Sequence, residues 1–172
     1  MGNLASESRG PGSDEEGNGK GAASAYIIQV SPNESACTGC GTCELVCALV
    51  HEGATSPALR RIWLERRPFE GISFASTCEQ CDDAECYDAC PLKDEALCID
   101  PKTGIKYINV DECIGCGDCV EACPYDPPRI NFDPERNVAI KCDLCMGREG
   151  GPACVEFCPA HCLILKERRA QP

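Results

Sequence analysis

The sequence predicts an α+β fold of short strands, hairpins and short helices organised around cysteine, and three observations predict it. Of 172 residues, 18 are Cys. Leu, Ile, Val and Phe together number only 32, against a formal net charge of -12, a composition that would read as disordered if nothing else held the chain. Between the cysteines, short β-rich runs alternate with turns containing Pro and Gly. Apolar burial alone cannot hold such a chain, so a group bound to the thiols must contribute.

The elements follow in order. Residues 1–24 are rich in Gly and Ser and lack aromatic and β-branched residues, the composition of a flexible tail. They contain no apolar signal core and no twin arginine, and no stretch of the chain approaches the roughly 18 apolar residues of a membrane span. The expected setting is therefore a reducing cytoplasm without direct membrane insertion, where thiols stay free to ligate metal. The acidic balance argues against a nucleic acid partner. Tyr26 to Val30 reads as a first strand. Arg61 to Arg67 and Ile72 to Ser76 read as a hairpin around the turn Pro68 to Gly71. Leu97 to Asp100 and Ile105 to Val110 form a second hairpin around the turn Asp100 to Gly104. Helices are expected at Glu44 to His51 and Val120 to Ala122, each just after a cysteine triplet.

Sixteen cysteines fall into four quartets. The first, Cys37, Cys40, Cys43 and Cys47, is spaced C-x2-C-x2-C-x3-C. The third, Cys113, Cys116, Cys119 and Cys123, repeats that spacing and ends in Pro124. The second is Cys78, Cys81, Cys86 and Cys90, followed by Pro91. The fourth is Cys142, Cys145, Cys154 and Cys158, followed by Pro159. A tetrahedral zinc site needs two separated pairs that converge. Three thiolates on one tight loop instead suit three irons of a cubane, with the fourth cysteine pointing away to a neighbouring cluster, as in two-cluster bacterial ferredoxins. The glycines of CTGCGTC and CIGCGDC leave backbone N–H groups close to the inorganic sulfurs. The spacing therefore predicts [4Fe-4S] clusters.

The stretches CEQCDDAECYDACP, DECIGCGDCVEACPYDPPRI and IKCDLCMGREGGPACVEFCP resemble the four-cluster, ferredoxin-like electron-transfer subunits of molybdenum and tungsten oxidoreductases, over about residues 26–165. Among these, the chain looks most like the small polyferredoxin subunit of tungsten aldehyde oxidoreductases. The corresponding subunit of class II benzoyl-CoA reductase is similar, and formate or hydrogenase complexes are alternatives. The resemblance implies two nested ferredoxin-like two-cluster modules, residues 25–77 with 136–172 outside and residues 78–135 inserted between them. It implies four ligand sets: Cys37, Cys40, Cys43 and Cys158; Cys47, Cys142, Cys145 and Cys154; Cys78, Cys81, Cys86 and Cys123; and Cys90, Cys113, Cys116 and Cys119. It implies as partners a large catalytic tungsten or molybdenum subunit and a flavin or ferredoxin-type redox protein. One departure is that Cys47 is followed by Ala48 rather than Pro, which should loosen the local turn.

Cys98 and Cys162 are left over and read as small buried hydrophobes. His51 and His161 are not needed as ligands, since every quartet is complete. Trp63 should pack a core patch of the first hairpin. Lys141 and Arg148 flank the fourth quartet, where cations would raise a cluster's potential. The basic run RRIWLERR reads as a salt-bridged surface strand. No phosphate loop, zincin motif or nucleophile with a matched base is present, so the expected role is non-catalytic electron transfer. A redox-sensing iron-sulfur module is the alternative from another class.

Overall fold

The computed structural model describes residues 26–30 and 37–167. The flexible tail expected over residues 1–24 lies outside them. Eight strands pair into four separate two-stranded antiparallel sheets. Strand β1, Tyr26–Val30, pairs with β8, Leu163–Glu167, so the two ends of the described chain lie side by side. Strands β2, Ile62–Arg67, and β3, Ile72–Thr77, form the first expected hairpin, and β4, Leu97–Ile99, with β5, Lys106–Ile108, the second. Strands β6, Ile130–Asp133, and β7, Val138–Lys141, form a further hairpin that the sequence reading did not anticipate. Its turn is an Asx turn in which the Asp133 carboxylate accepts from the Glu135 N–H, and Asn137 closes it in the left-handed region.

Helix α1 spans Thr42–Glu52, and α2, Glu85–Asp88, α3, Asp118–Glu121, and α4, Ala153–Glu156, have four residues each. The difference traces to one residue per quartet. Pro91, Pro124 and Pro159 disfavour helical backbone at the cysteine before them, which ends the three short helices. Ala48 permits the first helix to continue, and the chain past Cys47 is lengthened into helix rather than loosened, until Gly53 caps it with φ 69° and its N–H on the Leu49 carbonyl. No helix among the described residues is long and apolar enough to cross a membrane.

The core is built largely of sulfur. One buried cluster joins Cys43, Cys47, Cys142, Cys154, Cys158 and Cys162 with Ile62, Leu144 and Leu163. A smaller one places Leu97, Cys119, Ile130 and Ala139 together. Trp63 is only half-buried and belongs to neither; Ile62 is the buried residue of β2.

Candidate iron-sulfur sites

All four C-x2-C turns share one feature of the backbone, and the fourth adds a second left-handed residue at Cys145, φ 52°. The residue before the second cysteine is left-handed in each: Gly39 at φ 69°, Gln80 at 52°, Gly115 at 69° and Leu144 at 57°. Glycine is favoured there for more than its freedom at positive φ, since a Cβ on Gly115 would fall 2.1 Å from the Asn137 carbonyl oxygen.

The turns bring cysteines of different quartets together. Cys37, Cys40 and Cys43 line a recess with Cys158. Cys78, Cys81 and Cys86 line another with Cys123, and Cys113, Cys116 and Cys119 a third with Cys90. Each recess thus presents the same donor set, four thiols from two motifs. Near these recesses the thiols of Cys47, Cys145 and Cys43 add to the effect of burial in pushing the Cys154 thiol up, and Cys154 does the same to Cys142.

Chemically, these donor sets fit an iron-sulfur cluster. Burial pushes the thiols of Cys43 and Cys119 up to about 12 and those of Cys47 and Cys86 to about 11. Converging thiols that resist ionisation on their own become favourable thiolates only around cations. Backbone amides already point at the sulfurs. The N–H of Arg61 donates to Cys47 Sγ at 3.3 Å, Arg129 N–H to Cys123 Sγ at 3.2 Å, and Ala139 N–H to Cys113 Sγ at 3.4 Å. Such donors stabilise negative charge on ligand sulfur and help set its potential.

The helical extension past Cys47 delivers a side chain that sequence reasoning set aside. His51 Nδ1 lies 2.7 Å from Arg61 Nη1. A guanidinium only donates, so Nδ1 accepts and the neutral ring carries its proton on Nε2. Burial, which holds the imidazole below its usual range, agrees with that state. Nε2 then faces Cys145 Sγ at 3.5 Å and Asp143 Oδ1 at 3.4 Å. Around it, Arg61 pairs with Glu52 and with Asp143, both at 3.1 Å, and Glu52 also holds Arg136 at 2.8 Å. The spacing of His51 four residues after Cys47, on one helix face, was the available signal.

Other expected residues fall as follows. Cys162 is buried with its Sγ 3.5 Å from that of Cys158. Cys98 is only half-buried, its thiol donating to the Glu95 carbonyl at 3.2 Å. Arg148 lies by the fourth quartet, bonded to Glu156 and to the Gly151 carbonyl. Lys141 does not serve that quartet alone: its side chain lines the recess of Cys78, Cys81, Cys86 and Cys123. The basic run is salt-bridged, with Arg60 on Glu44 at 2.8 Å and Arg67 on Glu65 at 2.7 Å.

The family described as 4Fe-4S dicluster domain matches residues 69–168, and the 4Fe-4S binding domain matches residues 34–49. The polyferredoxin-like subunit of aliphatic sulfonate oxidoreductase from Pyrococcus furiosus is 43% identical over 131 residues, covering 76% of this chain and 70% of that one. Electron transport protein HydN of Escherichia coli is 36% identical over 154 residues, covering 78% of this chain and 85% of its own. Among solved structures, the active site complex BamBC of benzoyl coenzyme A reductase in complex with zinc superposes with a TM-score of 0.48 at 25% identity, over 86% of this chain and 81% of that chain.

Proposed function

The chain belongs to the 4Fe-4S dicluster family, and we propose that it is a relay of four [4Fe-4S] clusters passing single electrons between the catalytic subunit of an oxidoreductase and a further redox partner. The observation that carries this reading is the cross-pairing of the cysteines: three recesses each combine three thiols of one motif with the fourth thiol of another. The proposed ligand sets are Cys37, Cys40, Cys43 and Cys158; Cys47, Cys142, Cys145 and Cys154; Cys78, Cys81, Cys86 and Cys123; and Cys90, Cys113, Cys116 and Cys119. On this reading residues 78–135 form an inner two-cluster module inserted into an outer one, 25–77 with 136–172.

Bound in these sites, each cluster supplies one-electron chemistry. The chain's own residues fix position, donate N–H groups to sulfur and set the local charge. Of the 18 cysteines only Cys40 and Cys116 are exposed. They occupy the same position in the two matching motifs, and they belong to different recesses. Two sites that each reach the surface at one sulfur, with more buried sites between them, suit a wire with an entry and an exit.

The relative from P. furiosus is named as a subunit of an oxidoreductase, which supports a catalytic subunit as the partner at one end. A molybdenum or tungsten subunit, aldehyde-oxidising in the finer form of the proposal, fits there, with a flavin or ferredoxin-type protein at the other end and a cytoplasmic setting. Anaerobic iron and sulfide analysis tests the reading: about 16 Fe per chain, four cubanes of four irons, is the expected result. Stoichiometric zinc, or iron for two clusters only, would overturn it.

A further inference from the structure

The walls around the sulfurs differ sharply from recess to recess. No charged side chain lines the recess of Cys90, Cys113, Cys116 and Cys119, nor that of Cys37, Cys40, Cys43 and Cys158. The recess of Cys78, Cys81, Cys86 and Cys123 is lined by Lys106, Arg129 and Lys141 and by Glu79, Asp83 and Glu85. These charges do not cancel, because they sit in different surroundings. Asp83 and Glu85 are exposed and Glu79 is half-buried, so water and salt screen them. Lys141 is 2% exposed and Lys106 1%.

The position of Lys141 is held by a buried strut. Its Nζ donates to the Lys106 carbonyl at 2.5 Å, which also accepts from Gln80 Nε2 at 3.3 Å. Gln80, fully buried between Cys78 and Cys81, takes the Lys106 N–H on Oε1 at 2.8 Å and donates from Nε2 to the Cys142 carbonyl at 2.8 Å. The strut ties the second quartet's turn, β5 and the first cysteine of the fourth quartet into one piece. Lys141 lines that recess together with Cys86 and Cys123.

We propose that Lys141 selectively raises the reduction potential of the site formed by Cys78, Cys81, Cys86 and Cys123, making it the place where an electron pauses along the relay. The inference rests on the relay reading above. An arriving electron, donated by the neighbouring site, adds one negative charge behind these four thiolates, and a buried fixed cation stabilises that added charge most where water cannot screen it.

The test is an anaerobic redox titration of the full-length holoprotein followed by electron paramagnetic resonance, with iron counted in every sample. A Cys81→Ser variant identifies the signal of this site. In Lys141→Met the midpoint of that signal should fall by at least about 59 mV, a tenfold change for a one-electron couple, while the other midpoints stay in place. Lys141→Arg should restore it. Lys141→Gln keeps a donor for the Lys106 carbonyl without the charge, and carries the test if the Met variant does not load iron. Unchanged midpoints, an equal shift of all signals, or failure of both neutral variants to load would overturn the proposal. Fewer than four reducible clusters in the wild type would instead overturn the relay reading itself, so the two failures are distinguishable.

Discussion

Cys47, Cys142, Cys145 and Cys154 are all buried, whereas in the set Cys90, Cys113, Cys116 and Cys119 only Cys119 is. The first group is ringed by charged and polar side chains: Arg61, Glu52 and Asp143, with the neutral His51, tie α1 to the turn of the fourth quartet. The second sits in a wall of Pro91, Leu92, Leu97, Ile108 and Ala139 and opens to solvent at Cys116. On the proposed ligand sets, the interior one stands where a conventional apolar core would, and the other leaves Cys116 exposed.

The largest way to break this contrast is to remove the iron. Anaerobic chelation with reductant should empty the surface site before the interior one. Most of the far-UV circular dichroism should be lost only as the interior site empties, because the buried core around it is mainly thiol. Native-like dichroism in the apoprotein would contradict the idea that metal holds the core. Next in size is Arg61→Met. The Arg61, Glu52 and Asp143 side chains are 12%, 9% and 18% exposed, and removing the cation leaves Asp143 without its guanidinium while Glu52 keeps only Arg136, at about 3 kcal/mol. Anaerobic thermal melts of the holoprotein should show a fall of roughly 6 to 12 °C. An effect no larger than that of a surface pair would remove the case for an ionic clamp.

At the surface site the contrast sharpens within one motif. Gly115→Ala should destabilise by at least about 2 kcal/mol, since its Cβ would meet the Asn137 backbone oxygen at φ +69°. Gly117→Ala meets nothing within 4 Å and carries only the strain of φ +88°, about 1 kcal/mol. Equal melting shifts for the two would show that backbone strain, not close approach, decides. The smallest effect belongs to Arg67→Ala. Its pair with Glu65 is about half exposed on both sides, so the melting temperature should barely move.

What could be read in advance divides on physical lines. The strand Tyr26–Val30, the hairpins at Ile62–Thr77 and Leu97–Ile108 and helix Thr42–Glu52 are local, with β-rich runs or helical spacing bounded by turn residues. The pairing of β1 with β8 joins residues more than 130 positions apart, and nothing local announces it. The hairpin of β6 and β7 hid between two cysteine groups, although Asp133-Pro134 and Asn137 are turn residues. Helices of four residues are too short for periodicity to register. Of the site, the cysteines and their grouping were legible because ligand spacing is a local property. Lys141 precedes Cys142 in sequence, so its place beside the fourth quartet is legible; its place in the recess of Cys78, Cys81, Cys86 and Cys123 is not, because that recess is assembled from distant segments. His51 is not needed to complete a quartet, and its approach to Cys145, with Nε2 3.5 Å from Sγ, joins residues 94 positions apart that no local pattern links.

The most direct test of the whole account is a pair of substitutions read by electron paramagnetic resonance. If fourth cysteines cross between motifs, Cys158→Ala perturbs the cluster held by Cys37, Cys40 and Cys43, and Cys47→Ala perturbs the one held by Cys142, Cys145 and Cys154. Both variants leave the signals of the two inner sites unchanged. If Cys47→Ala disturbs only the cluster of Cys37, Cys40 and Cys43, each quartet closes on itself and the cross-paired relay is wrong.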